Sequence, residues 1–163
     1  MSTTPPTHAW LIDDRLAIAE RPGGGGRSHR IARRQSDFEW WWGEGIRHIV
    51  SGMRSRHGLI DAALFGFGVS WCPIRDGESE GDDVRLLVAN AIDRLDSDTG
   101  GVLVHVDRPG EWLAAVDVRL RLALGLAADE SEAVAQTTID GVPVGDTTRR
   151  ILGSPATPAH SSL

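Results

Sequence analysis

The segment Val102-Leu103-Val104-His105-Val106 constrains the fold more than any other part of this chain. It is a nearly unbroken apolar run, fenced by Gly100-Gly101 before it and Pro109-Gly110 after it. A strand with one wet face alternates polar and apolar residues, whereas a run without a polar side belongs to a strand covered on both faces. Two covering layers are therefore required, and the rest of the sequence has to supply them.

It does so by alternating strand and helix signals. Trp10-Leu11-Ile12 and Leu16-Ala17-Ile18-Ala19 flank Asp13-Asp14 as a short hairpin, and the loop from Arg21 to Arg27 holds four consecutive glycines that exclude regular structure. Ser36 with Glu39 reads as a capping box, so a short helix is expected to begin at Ser36 and carry Trp40, Trp41 and Trp42 to Gly43 or Gly45. Ile46 to Ser51 reads as a core strand, Leu59 to Phe65 as a helix, and Val69 to Cys72 as a second core strand. After a loop from Ile74 to Asp82, Asp82 or Asp83 caps a helix whose Val84, Leu87, Val88, Ala91 and Leu95 share one face. Glu111 to Leu126 is helical, and Glu130 to Gln136 adds a last turn or two. Strands and helices in this order imply an α/β fold with a mostly parallel central sheet flanked by helices on both faces.

The 163 residues suit one domain, placed at residues 10–138, after a flexible N-terminus over 1–9. From Ile139 onward Thr, Pro, Gly and Ser dominate, so residues 139–163 are expected to form a disordered tail. A lone cysteine, Cys72, forms no internal disulfide, and neither a signal peptide nor a membrane span is visible, which points to a cytoplasmic protein. Nine of the 17 arginines but only six of the 23 acidic residues fall within the first 60 positions. The front is basic and the back acidic. With a net charge of -6 and no reader motif beside the arginines, nucleic acid is disfavoured as a partner.

The order of these landmarks resembles the compact dual-specificity phosphatases, a branch of the cysteine-dependent protein tyrosine phosphatases. The likeness runs from Leu11 to Gln136 and is most specific at two places. Pro73-Ile74-Arg75-Asp76-Gly77 looks like the family's general-acid loop, and Val102 to His105 like the strand that enters its phosphate-binding loop. In that family the strand ends in His-Cys, and an Arg follows after five more residues. The cysteine attacks phosphorus as a thiolate, the loop amides and the Arg bind the phosphoryl oxygens, and an Asp on a separate loop protonates the leaving group.

The matching stretch here is His105-Val106-Asp107-Arg108-Pro109-Gly110-Glu111-Trp112. Val106 stands at the cysteine position and Trp112 at the arginine position. Asp107 and Glu111 add carboxylates that repel a dianion, and Pro109 removes an amide donor. The resemblance thus implies a degenerate, pseudophosphatase-like relative, with Asp76 a residual general-acid position and His105, Asp107, Arg108, Gly110 and Glu111 lining the remodelled pocket. No cofactor and no metal are expected.

Each feature also has a plainer reading. Asp76 is a turn residue before Gly77, His105 a buried hydrogen-bonded histidine, and Cys72 a small apolar core residue. Arg27, Arg30, Arg33 and Arg34 form a basic front that either binds an anionic protein partner or pairs with the acidic stretch Glu78 to Asp83. Successive helix positions are offset by about 100°, so at least one of the three tryptophans must be partly exposed. Trp40 and Trp41 are accordingly taken, with the arginines, as a partner-binding surface. The chain reads as a regulatory or protein-binding module rather than an enzyme. The alternatives are an enzyme that has turned the pocket to a non-phosphate substrate, or an atypical protein phosphatase.

Overall fold

A computed structural model describes residues 8–20, 30–75, 77, 79–97, 100–106, 111–140, 142 and 144–153. The chain runs β1 (His8–Ile12), β2 (Leu16–Glu20), α1 (Arg30–Gly43), β3 (Ile46–Ser51), α2 (His57–Phe65), β4 (Gly68–Trp71), α3 (Glu80–Ser97), β5 (Gly101–Val106), α4 (Glu111–Ala123), α5 (Glu130–Ile139) and α6 (Asp146–Gly153). The five strands form one sheet in the order β1-β2-β5-β3-β4. β1 pairs antiparallel with β2, and the other pairings are parallel.

β5 is the axis of this arrangement, hydrogen-bonded to β2 on one side and β3 on the other. Its side chains alternate between two cores, as a strand covered on both faces requires. Val102, Val104 and Val106 enter the core made with α3 and α4, where Leu87, Ala91, Trp112 and Val116 meet them. Leu103 enters the opposite core with Phe38, Trp41, Leu59 and Phe67. The single α/β domain and its mostly parallel sheet follow the sequence expectation.

Four expectations are corrected. The capping box at Ser36 is not a helix start: α1 begins at Arg30, and the Ser36 hydroxyl donates to the Ala32 carbonyl 3.2 Å away inside the helix. The segment expected as a second core strand is the edge strand β4, with Val69 and Trp71 exposed. β1 starts at His8, so the sheet reaches into the expected flexible N-terminus. The expected disordered tail contains α6, which buries Thr148, Ile151 and Leu152. Periodicity missed α6 because only two of its eight residues, the adjacent Ile151 and Leu152, are large and apolar; the helix is held by docking on α4 rather than by its own pattern.

A polar clip joins α4 to α5. The buried Arg121 guanidinium donates to Asp117 at 2.6 Å and to Gln136 at 3.1 Å, and also pairs with Asp140. Burial holds the Asp117 carboxyl above the usual carboxylate range, although Arg121 pulls it down.

Two measurements check this packing. Ile151→Ala is expected to lower stability by about 2–5 kcal/mol in urea unfolding; an unchanged midpoint means that α6 does not dock. Since folding raises the affinity of Asp117 for its proton, its contribution is present at acidic pH and lost as pH rises through the folded value. The stability of the wild type relative to Asp117→Asn should therefore increase as pH falls from about 7 to about 4. A decrease would mean that the ion pair with Arg121 outweighs burial.

Candidate functional site

The parallel strands β2, β5, β3 and β4 end at one edge of the sheet, where open α/β sheets place their sites. Among the described residues, backbone hydrogen bonds tie the segments after β3 and β4 to each other and to the end of β5. The Gly52 amide donates to the His105 carbonyl at 2.8 Å, Cys72 to Ser51 at 2.8 Å, and Ile74 to Gly52 at 3.0 Å. The loop after Pro73 is tied to the first turn of α3, because the Arg75 amide donates to the Asp83 carboxylate at 3.0 Å and the Gly77 amide to Glu80 at 3.1 Å. Acidic side chains in a helix's first turn suit the partial positive charge of its N-terminus.

Val106, the last residue of β5, has no solvent exposure. Its isopropyl group packs where Ile74 and Leu87 converge on Gly52: a side chain at Gly52 would begin 3.1–3.2 Å from all three, tight enough that these neighbours would have to shift. Trp112, in the first turn of α4, is 1% exposed and lies in the same core. His105 is buried in β5, opposite Ser51. Glu111 turns toward α6, where its carboxylate accepts from the Thr147 amide at 3.3 Å and its carbonyl from the Thr148 hydroxyl at 2.8 Å. Asp107, Arg108 and Gly110 lie outside the described residues, as does Asp76. The structure thus brings Val106 and Trp112 together in one core, leaves His105 on the opposite face of β5, and turns Glu111 toward α6.

No protein-family model matches the chain, and no curated protein matches its sequence. Solved structures do. A kinase-associated phosphatase (KAP), with its catalytic-site cysteine substituted by serine, aligns at TM-score 0.70 and 16% identity over 94% of this chain and 100% of its own. Human DUSP28 aligns at TM-score 0.63 and 17% identity over 93% and 94% of the two chains. TpbA of P. aeruginosa aligns at TM-score 0.64 and 13% identity over 87% and 81%. The chain has the fold of the dual-specificity and tyrosine phosphatases. At these identities the likeness fixes the framework and not the chemistry.

In a phosphatase-like fold the one cysteine of the chain is the first candidate nucleophile. Cys72 follows β4, and its side chain lies buried in the core between sheet and α3. Burial pushes its thiol above the ordinary thiol range, the opposite of what a nucleophilic thiolate needs. The other expected surface lies elsewhere, on the α1–α2 face. Arg33 and Trp40 are exposed on α1, Arg34 is ion-paired with Asp61 of α2, and Trp41 is fully buried. Trp41 is therefore corrected from a partner-binding residue to a core residue that packs beside Phe38. The side chain of Arg30 and the whole of Arg27 lie outside the described residues. The acidic stretch pairs with other arginines: Asp82 with Arg85, Asp83 with Arg75, and Glu80 with Arg150.

Sequence reasoning missed Trp42, Ile60 and Leu64. The Arg47 guanidinium covers the exposed Trp42 ring at 3.8 Å. Leu64, 82% exposed, borders a groove of about 500 Å³ between α1 and α2 with Arg34, Gln35, Phe38, Asp61 and Phe65. The spacing of Ile60 and Leu64, four apart on a short helix whose other face is apolar, was the available signal.

Iodoacetamide is expected to label Cys72 far more slowly in the native protein at neutral pH than in urea, with the native rate rising only at alkaline pH. Rapid native labelling at neutral pH would instead identify an accessible thiolate.

Proposed function

We propose that this chain is a non-catalytic, phosphatase-like protein that serves as a regulatory or protein-binding module. The observation that carries this reading is Val106, a fully buried isopropyl group at the position where the resemblance places a nucleophilic cysteine. A branched alkyl group neither attacks phosphorus nor ionises. The indole of Trp112, at the position of the phosphate-binding arginine, is also core and offers no guanidinium fork for phosphoryl oxygens. Cys72 does not replace the missing group, because its thiol is buried and hard to ionise.

The retained frame supports a binding role. The described segments after β3 and β4 are hydrogen-bonded to each other and to β5, and α6 secures the first turn of α4 through Glu111. Loops positioned by a packed sheet can present a binding surface without turnover. On the other face, the α1–α2 groove joins an apolar floor to Arg34 and Asp61, with Arg33 and Trp40 exposed on the same helix, a composition common at protein interfaces. A pocket recruited to other chemistry fits less well, since stacking a cation on Trp112 requires an open ring face and the ring lies in the core.

The purified protein should release no phosphate from aryl phosphates or phosphopeptides above the buffer rate. Vanadate-sensitive release that disappears in Asp76→Ala would overturn the reading. Val106→Cys alone should remain inactive because Trp112 still stands where a guanidinium is needed; robust turnover by that single variant would show that the loop retains a working phosphate cradle. For the binding role, Arg33→Ala/Trp40→Ala is expected to lose a specific protein that the wild type captures, and identical captures would remove this surface from consideration.

A further inference from the structure

We propose that two copies of this chain pair through β4, edge to edge and antiparallel, to make one continuous ten-stranded sheet. The inference starts from the backbone. Cys72 donates its amide to Ser51 of β3, and strand geometry alternates, so Ser70 and Cys72 direct their peptide groups toward β3 while Val69 and Trp71 direct theirs outward. These outward donors and acceptors have no hydrogen-bonding strand beside them among the described residues, since β4 ends the sheet.

Natural edges are normally blunted by charge, proline or a bulge. The opposite edge follows that rule, with a break in register between Trp10 and Ile12 of β1. β4 is blunted only by its length of 4 residues, with no charge, proline or bulge over Gly68-Val69-Ser70-Trp71, and leaves Val69 36% and Trp71 37% exposed, the latter even though Arg56 lies over its ring at 4.2 Å.

The sequence of the edge is complementary to itself. A two-fold axis at Ser70 sets Val69 of each copy opposite Trp71 of the other as hydrogen-bonded pairs, each exchanging an N–H and a C=O in both directions. A β-branched residue opposite an aromatic is among the favourable cross-strand pairs. The non-hydrogen-bonded position at the axis, where strands come closest, falls on the small Ser70. Such an axis stands perpendicular to the sheet, so like faces of the two copies lie side by side. α2 packs on β4 and would then meet its own copy, which gives a partner to Ile60, 57% exposed, and to the neighbouring exposed Ala63, small enough for close helix approach. A second copy is thus the occupant whose shape and register the edge specifies, independently of whether the chain is catalytic.

Analytical ultracentrifugation across a concentration series tests this on the full chain. The wild type should sediment at twice the 17.6 kDa chain mass, and Val69→Pro and Val69→Lys at the chain mass, with far-UV circular dichroism unchanged. Proline at 69 removes an outward amide and no bond to β3, so it is compatible with the fold; if it nevertheless unfolds the protein, Val69→Lys and Ile60→Glu decide. A wild type that stays monomeric at its solubility limit overturns the proposal and leaves the edge for a strand from a different protein. A dimer that persists in the folded Val69 variants overturns it as well.

Discussion

Two-sided burial of β5 is the constraint on which the rest of the structure depends. A strand with partners on both edges and cores on both faces has no freedom of register, because a slip of one residue would exchange Val102, Val104 and Val106 with Leu103 and His105 between unlike cores. The position of Val106 is therefore set by packing along the entire strand, and so is the start of the turn that follows it. The resemblance to the phosphatases places their phosphate-binding loop at that turn. Here the last strand residue spends its side chain on the core, wedged at Gly52 beside Ile74 and Leu87.

The described residues around that turn are held by their neighbours. Gly52 bonds the carbonyl of His105 from β3, the loop after Pro73 is pinned to α3 by Asp83 and Glu80, and α6 is clasped by Glu111 at the start of α4. The clasp is close: a side chain at Gly145 would begin 1.8 Å from the Glu111 carboxylate, which would have to move aside. A carboxylate that the sequence placed in the pocket thus serves as an anchor for the C-terminal helix. Most of the exposed large apolar and aromatic side chains lie elsewhere, on the α1–α2 face and the β4 edge, apart from Leu86 of α3 and Ile139 of α5.

The fold was largely legible because its strongest signals are local. The apolar run at 102–106 announced a doubly covered strand, and the helical spacing from Val84 to Leu95 announced α3. What stayed hidden depends on tertiary partners. α6 has too few apolar residues to show a period and exists because α4 receives it. The choice among three tryptophans was bounded by helix geometry but not decided by it; Trp41 is the buried one because the aromatic cluster around Phe38 lies on that side of α1. Likewise, no pattern in Val69 to Cys72 tells an edge strand from a central one. The site was readable as residue types at family spacing, while the directions of Glu111 and Trp112 required coordinates.

The central claim is that the turn after His105 does not hold a tetrahedral oxyanion. Calorimetric titration of the purified protein with tungstate tests it most directly, because binding requires the cradle alone and no turnover. No saturable heat is expected. Stoichiometric binding that is lost in Arg108→Ala would contradict the claim, by showing an intact anion site above a core that lacks only its nucleophile.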